Sequence, residues 1–146
     1  MADLDLVRRI GAANHGLAIV SVARPDRSVH SSLVNAGVLE HPTEGTPVVG
    51  MVVGGGTRKL GHLRSAGRAT VAFQDGWQWV SVEGAIDIAG PDDTAIVAGP
   101  RIPELLRDVF RAAGGTHDDW DEYDRVMAAE RRAAVLVTAE RIVSNQ

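Results

Sequence analysis

The chain divides into short apolar or alternating segments separated by Gly, Pro and Asp, a pattern typical of strands joined by tight turns. Six segments have this strand pattern: residues 17–22, 29–39, 48–53, 68–74, 77–89 and 133–138. Asp75-Gly76 is a two-residue hairpin signal between the fourth and fifth segments. Residues 141–143 continue the apolar pattern and predict an extension of the last strand.

Apolar residues at helical spacing predict helices between these strands. They fall at residues 4–10, after Thr57, at 92–98, at 103–113, and after a Thr116-x-x-Asp119 start that is close to a capping box. Strands, then helices, then a final strand make this a mainly β chain. The order predicts a six-stranded antiparallel barrel with helical insertions, forming a single domain over residues 1–146.

Composition and charge exclude several classes of function. The formal net charge is -4 and the pI is near 5.7, so bulk attraction to nucleic acid or anionic membranes is excluded. The absence of cysteine excludes disulfides and thiolate metal sites, and the five histidines form no H-x-H or H-E-x-x-H pattern, so we predict no metal. Without a signal-peptide core or a spanning apolar run, we expect a cytoplasmic protein.

The stretch MVVGGGTRKLGHL, residues 51–63, carries the clearest candidate chemistry. Three glycines end an apolar strand, and Thr57 can cap a short helix whose first turn holds Arg58 and Lys59. Cations are normally disfavoured at a helix start, where free backbone N–H groups already carry partial positive charge. Together they suit a phosphate or carboxylate. Lys59 is also the only lysine among the 15 basic residues.

The anion-site hypothesis is compared with two known phosphate-binding motifs and with a helix start that binds no ligand. The residues match neither the Walker A pattern G-x-x-x-x-G-K-[ST] nor the dinucleotide pattern G-x-G-x-x-G, because the glycines are consecutive and Lys59 precedes Leu60. A solvated helix start without a ligand is the alternative to an anion site. The sequence pattern alone leaves both open.

The second predicted strand, VHSSLVNAGVL, is unusually polar. His30, Ser32 and Val34 share one face, while Ser31, Leu33 and Asn35 share the other. Polar side chains on both faces of a barrel strand indicate a lined pocket or an interface. An edge strand with solvated side chains gives the same pattern.

Five pieces of the chain, taken in order, resemble the flavin-binding split β-barrel proteins, a family that includes the pyridoxamine 5′-phosphate oxidases. The actinobacterial branch that binds the deazaflavin coenzyme F420 is the most similar. The matching pieces are residues 24–26, 56–60 with 62–64, 75–84, 115–123 and 131–132.

The resemblance implies a homodimer with two cofactor sites in the clefts between its subunits. By position, Thr57, Arg58 and Lys59 would hold the cofactor phosphate, although relatives often place a further cation where this chain has Thr57. Other residues would lie along the ring system and side chain of the cofactor, or close the site from the partner subunit. Those along the cofactor are His30, Ser32, Asn35 and Val52, and those from the partner are Trp77 and Trp79.

The function implied by the resemblance is an F420-dependent oxidoreductase that transfers a hydride to a small conjugated or quinone-like molecule. No residue pattern indicates a nucleophile or a catalytic triad, and we assign no catalytic residue. The cofactor carries such chemistry, while the protein supplies binding and orientation. The alternatives are an FMN-binding oxidase or reductase of the same fold, and a non-catalytic flavin-binding protein.

Overall fold

Six antiparallel strands close into a barrel in the computed structural model, which describes residues 2–146. A seventh strand lies outside the ring. The strands are β1 Leu17–Ala23, β2 Val29–Glu40, β3 Pro47–Val53, β4 Arg68–Asp75, β5 Gln78–Ala89, β6 Ala133–Thr138 and β7 Arg141–Ser144. Neighbours around the ring follow the order β1-β2-β3-β6-β5-β4, and β4 closes it by pairing with both β1 and β5. The predicted six-stranded antiparallel barrel is confirmed.

Four α-helices accompany the strands within residues 2–146. They are α1 Leu4–Ala13, α2 Arg58–Ala66, α3 Ile102–Ala112 and α4 Trp120–Ala129, with a short 3-10 turn at Gly99–Arg101 before α3. As predicted, the Thr57 side chain caps α2, by accepting a hydrogen bond from the Leu60 N–H. Within the same residues, no helix combines the length and the hydropathy needed to cross a membrane.

The alternating pattern of the strands separates an interior core from an outer surface. Ala18, Val20 and Val22 of β1 point into the barrel, where they join inward residues of the other strands and buried residues of α1 and α2. A second core lies outside the barrel, where α3 and α4 cover β3 and β6. Strand β3 is therefore buried on both faces, which explains its continuous apolar sequence.

Four details of the predicted elements were wrong. The hairpin turn is Gly76-Trp77 rather than Asp75-Gly76, because Asp75 pairs with Gln78. Asp119 itself caps α4, by accepting from the Glu122 N–H, so Thr116 is not the cap. Residues 92–98 form no helix. Residues 141–144 do not extend β6; they form β7, which pairs with the first half of β5.

Strands β2 and β3 separate halfway along β2. Their ladder ends at the pair Ala36–Met51, and residues 29–35 of β2 pair only with β1. Strand β5 divides in a similar way, since residues 78–85 pair with β4 and residues 86–89 pair with β6. The separation of β2 from β3 leaves an opening in the barrel wall.

Gly37 lets α3 approach β2 beside this opening. A Cβ at Gly37 would lie 2.0 Å from the carbonyl oxygen of Ala112, far inside contact distance. We expect Gly37→Ala to lower the free energy of unfolding by about 1–3 kcal/mol, because the backbones must move apart. Urea unfolding measures the change.

Gly61→Ala is the matched control for this substitution. A Cβ at Gly61 meets no atom within 4 Å, and the residue lies inside α2, so alanine there should stabilise by about 0.5–1 kcal/mol. Equal stability of the Gly37→Ala variant and the parent protein would contradict the close packing of α3 on β2.

Candidate functional site

A cavity of about 320 Å³ lies at the opening between β2 and β3. Residues 33–35 of β2, the end of β3 and the start of α2 form one side, and helices α3 and α4 form the other. The far wall is mainly apolar. Its members are Val109, Phe110, Ala113, Tyr123 and Met127. The cavity therefore lies between this apolar surface and part of residues 51–63, the candidate anion site predicted from the sequence.

Tyr123 fixes the helical wall of the cavity. Its side chain is buried, and its hydroxyl donates a hydrogen bond to the carbonyl oxygen of Leu106 on α3 at 3.2 Å. Burial raises the pKa of this hydroxyl, which keeps it in the donating form. The tyrosine ring packs at 5.0 Å between centroids from Phe110. The two helices thus present a fixed aromatic surface.

Two cations line the cavity, Lys59 from α2 and Arg132 from the segment before β6. Lys59 is half-buried, and its ammonium makes no hydrogen bond or ion pair with any other residue of 2–146. Burial, followed by the charge of Arg132, lowers the pKa of Lys59. Arg132 donates from Nε to Glu130 at 2.7 Å, and both of those side chains are partly exposed. Two like charges at one cavity wall favour an anionic ligand.

Glycines allow α2 to begin against the segment that carries Arg132. A Cβ at Gly55 would lie 2.2 Å from the carbonyl oxygen of Arg131, so only glycine permits this approach. The Gly55 N–H donates to the carbonyl oxygen of Glu130 at 3.1 Å. Thr57 then caps α2, and its hydroxyl donates to the carbonyl oxygen of Gly54 at 2.8 Å. These contacts set Lys59 facing the cavity.

His30 belongs to a second basic group on the same side of the barrel. Its Nδ1 lies 3.3 Å from the Arg24 guanidinium, and its ring lies 5.8 Å from the ring of His62 on α2. Burial lowers the pKa of His30, and the charges of Arg24, His62 and Lys59 lower it further. Because a guanidinium can only donate, Nδ1 accepts and the neutral ring carries its proton on Nε2.

Of the other predicted residues of β2 and β3, Asn35 and Val52 line the cavity, and Ser32 does not. The Oγ of Ser32 is buried and has no hydrogen-bond partner within the described residues 2–146. Asn35 lines the cavity and donates to the carbonyl oxygen of His15 at 3.0 Å. Val52 lines the cavity from β3, where it pairs with Ala134 of β6. An unpartnered buried hydroxyl costs free energy unless a ligand or water satisfies it.

Several predicted residues lie away from the cavity within one chain. Thr57 and Arg58 are exposed, and neither lines the cavity, although both adjoin Lys59. Trp77 is 94% exposed in the β4–β5 turn, and Trp79 lies on the outer face of β5. Asn145 fixes this hairpin by donating to the Trp77 carbonyl and accepting from the Trp79 N–H. The structure therefore brings Lys59, Asn35 and Val52 together but leaves both tryptophans apart.

Sequence reasoning did not assign the helical side of this cavity. It missed Arg132, Phe110, Tyr123 and Met127 as lining residues. Two signals were available: the Arg131-Arg132 pair directly before β6, and the shared helix face that holds Tyr123 and Met127. Neither signal indicates which strand the helices cover.

A larger groove of about 540 Å³ lies along β1, β4 and the end of α2. Its charged side chains already have partners. Arg24 donates to Ser28 and to the Val29 carbonyl, Arg68 pairs with Glu140, and Glu83 pairs with Arg141. The smaller cavity is the better candidate for an anionic ligand, because its Lys59 has no partner in the part of the chain that the structure describes.

Ligand atoms of His41, Glu44 and Asp87 lie within 4.8 Å of one another, close enough to suggest a cation site. The hydrogen bonds of His41 oppose that interpretation. Its Nδ1 accepts from the N–H groups of Thr43 and Glu44 at 3.2 Å, so Nε2 carries the proton and donates to Asp87 at 2.8 Å. Both ring nitrogens are in use, and the group anchors the loop before β3.

No protein-family model matches the chain. Solved structures share its fold at low sequence identity. A conserved hypothetical protein from Mycobacterium tuberculosis has a TM-score of 0.70 at 18% identity, over 99% of this chain and 84% of that one. An FMN-binding protein from Nostoc punctiforme, related to pyridoxamine 5′-phosphate oxidase, has a TM-score of 0.66 at 9% identity, covering 95% of this chain and 79% of its own.

An F420 reductase is also similar in structure, with a TM-score of 0.58 at 11% identity, over 87% of this chain and 88% of that one. Identities this low establish a shared fold rather than a shared activity. The chain therefore has the split-barrel fold of FMN-binding proteins related to pyridoxamine 5′-phosphate oxidase, as the sequence resemblance predicted.

Proposed function

We propose that the cavity between β2 and β3 binds a flavin-type cofactor, and that the protein is an F420-dependent oxidoreductase. The substrate would be a small conjugated or quinone-like molecule. The observation that carries this proposal is a half-buried lysine without a partner among residues 2–146, beside Arg132, at the edge of an apolar cavity. A phosphate would pair with both cations, and a planar ring system would cover the apolar wall.

The residues present fit such a cofactor chemically. A desolvated ammonium is costly unless an anion accompanies it, and no acid of residues 2–146 forms an ion pair with Lys59. The Ser32 hydroxyl is a buried donor and acceptor with nothing to bind among the described residues. Ligand pockets commonly measure about 300–1,000 Å³, so a cavity of about 320 Å³ in one chain suits part of a cofactor site.

The bound cofactor would supply the hydride, and the chain would supply position and environment. Lys59 and Arg132 would hold the phosphate. Val52, Phe110 and Met127 would keep water from the ring. His30 in its protonated form is the candidate donor of a proton to a reduced substrate, because loss of that proton returns the neutral ring. Solvent is the other source, and we assign no catalytic residue.

The second basic group favours F420 over FMN. FMN ends at its phosphate, whereas the side chain of F420 continues past the phosphate with further carboxylates. Arg24, His30 and His62 form this group, in which Asp26 is an acidic neighbour of Arg24, and the charge of Lys59 is felt at His30. A ligand with several negative groups would contact both basic groups. Its phosphate would pair with Lys59 and Arg132, and its carboxylates would lie near Arg24, His30 and His62.

We further propose a homodimer in which the partner subunit completes the site. A row of outward side chains crosses five strands: Leu33, Ile19, Ala72, Ser81 and Val143. A two-fold axis near the middle of this row would bring the Leu33 end of one subunit to the Val143 end of the other. Trp79 lies on the same outer face near that second end, so Trp79 of the partner subunit would approach the cavity mouth.

Titration of the purified apoprotein with F420 and with FMN tests the function. Tighter binding of F420, with hydride transfer from its reduced form to a quinone, is the expected result. Preferential binding of FMN would favour the alternative oxidase or reductase. Failure to bind either cofactor would contradict the proposal and would favour a fold relative without the site.

We expect F420 binding to depend on pH through His30. In the free protein, burial and the neighbouring cations hold the pKa of His30 below its ordinary value. A bound anion favours the protonated ring and raises that pKa. Affinity should therefore increase as the pH falls from the bound-state pKa to the free-state pKa, and then level off. Isothermal titration at several pH values measures it.

His30→Gln is the control for this pH dependence. It keeps a polar side chain but removes the titrating group, so its affinity should vary little over the same pH range. FMN is unsuitable here, because its own phosphate titrates at a pKa of about 6. A parent affinity for F420 that is flat or falls on acidification would contradict contact between His30 and the anion.

A further inference from the structure

Lys59 and Arg132 carry like charges on one cavity wall, and something must hold them together against repulsion. Among residues 2–146, Arg132 pairs with Glu130 and Lys59 pairs with no acid. Lys59 belongs to α2, while Arg132 follows the end of α4. Each of these two segments also carries an arginine that does not line the cavity: Arg64 near the end of α2, and Arg131 beside Arg132.

Two adjacent acids in the loop after β5 bind these two arginines. Asp93 accepts from Arg64 Nε at 3.0 Å and from Nη2 at 2.6 Å. Asp92 accepts from Arg131 Nε at 3.0 Å and also from its Nη2. Both contacts have the paired geometry that holds a guanidinium in a fixed orientation. Reciprocal backbone hydrogen bonds between Gly90 and Asp93, each 3.0 Å long, keep the loop in shape.

The backbone at Arg131 is uncommon for a residue with a side chain. Arg131 has a φ of 49°, in the left-handed region that favours glycine. It occupies the position after the C-cap of α4, where Arg132 N–H donates to the Met127 carbonyl at 3.0 Å and Arg131 N–H donates to the Ala128 carbonyl at 3.1 Å. An arginine at a glycine position keeps a side chain there, and that side chain binds Asp92.

We propose that Asp92 and Asp93 are positioning residues, which hold α2 and the start of β6 at the spacing that puts Lys59 and Arg132 on one anion. Neither aspartate lines the cavity. They position the two cations indirectly, by binding Arg64 and Arg131, which do not line the cavity either. The proposal rests on the proposed function only in taking that anion to be the cofactor phosphate.

The sole lysine of the chain gives a direct readout. Protein grown with lysine labelled at Cε has one side-chain NMR signal, whose pH titration reports the pKa of Lys59 in the apoprotein. In the parent protein, we expect this pKa to be lower than usual because Lys59 is desolvated and near Arg132. Other charged or titratable groups on this side of the barrel are His30, His62 and Arg24. Tyr123 lines the same cavity, and Glu130 binds Arg132.

The Asp93→Asn variant distinguishes a positioning role of Asp93 from a direct electrostatic effect of its charge on Lys59. Loss of a negative charge alone would lower the pKa of Lys59 further or leave it unchanged. Loss of the spacing would raise it toward the ordinary value, because Arg132 moves away and water reaches the ammonium. We expect the rise, together with about three- to fivefold weaker binding of inorganic phosphate, which is followed on the same NMR signal.

Arg131→Gly removes the contact between Arg131 and Asp92 in a variant that should keep the fold. Glycine suits the backbone at this position, so the variant should fold well while losing its ion pair with Asp92. Loss of the Arg131 positive charge would raise the pKa of Lys59 by itself, so this variant shows that the fold survives loss of the contact, and Asp93→Asn decides between positioning and charge. Asp93→Glu keeps the charge and should restore much of the parent behaviour.

Glu140→Gln is the matched control, since Glu140 pairs with Arg68 between elements far from this cavity. It should leave both the Lys59 pKa and phosphate binding unchanged. A lowered or constant Lys59 pKa in folded Asp93→Asn would overturn the proposal, as would an equal rise in the control. If the parent protein binds neither FMN nor F420 while the Lys59 signal responds as expected, the proposed function fails and the positioning role stands.

Discussion

Replacement of Lys59 by alanine is expected to weaken F420 binding by about ten- to a hundredfold. A charge-assisted hydrogen bond contributes about 1.5–3 kcal/mol, which corresponds to one to two powers of ten in the dissociation constant. The effect should be large because Lys59 is half-buried and has no partner other than a ligand within residues 2–146. Isothermal titration measures the loss, which should shrink as salt rises.

The same substitution should not destabilise the free protein. Burial and the charge of Arg132 lower the pKa of Lys59, so the folded state binds this proton less tightly than the unfolded chain does. Charged Lys59 therefore opposes folding below its folded-state pKa, and that penalty disappears as the pH rises toward the unfolded value. Lys59→Met keeps an apolar stem and should raise the melting temperature at neutral pH while it weakens F420 binding.

Arg125→Ala is a suitable control, because Arg125 is exposed on α4 and its loss changes the net charge by the same amount. Its affinity for F420 should equal that of the parent protein. Arg58→Ala should have a smaller effect than Lys59→Ala, since Arg58 adjoins the site without lining the cavity. Parent-like binding by Lys59→Ala would show that the anion lies elsewhere, and a lowered melting temperature would make Lys59 a structural residue.

The barrel was predictable because its strands alternate with a period of two residues. In β4 and β5, Ala69, Val71, Val80 and Val82 point inward as their positions require. Local sequence patterns gave wrong predictions where contacts between residues distant in the sequence determine the structure. Residues 141–144 have no local signal that distinguishes a continuation of β6 from a strand that returns to β5. Residues 92–98 resemble a helix, but Asp92 and Asp93 are fixed by arginines from two other elements.

The site was half predictable for the same reason. The stretch around Lys59 combines a glycine break, a cap and cations within a few residues, all of which are local signals. Arg132, Phe110 and Tyr123 complete the cavity from far along the chain. Their role depends on α3 and α4 covering β3 and β6, a packing choice that helix periodicity does not specify. The positions proposed for Trp77 and Trp79 depend on a second chain.

A second large effect is expected at Ile19, which lies next to Ala72, the middle of the row proposed as the dimer surface. Ile19 is 43% exposed and pairs across the sheet with Leu33, which is 62% exposed. Burying such a side chain between two subunits contributes about 1.5–3 kcal/mol, and a two-fold axis uses each residue twice. Ile19→Asp would place two carboxylates near the axis. We expect it to raise the dimer dissociation constant by at least about a hundredfold, measured by sedimentation velocity.

Cofactor binding should fall together with the dimer, because Ile19 lies outside the cavity of its own subunit. F420 should quench the fluorescence of Trp77 or Trp79 in the dimeric parent protein and quench it less in Ile19→Asp. Val126→Asp is the matched control: Val126 is 42% exposed on α4, away from the proposed surface, and its variant should remain dimeric. A parent protein that sediments as a monomer at micromolar concentration with F420 present would contradict the shared site. A dimeric Ile19→Asp would show that a different face forms the contact.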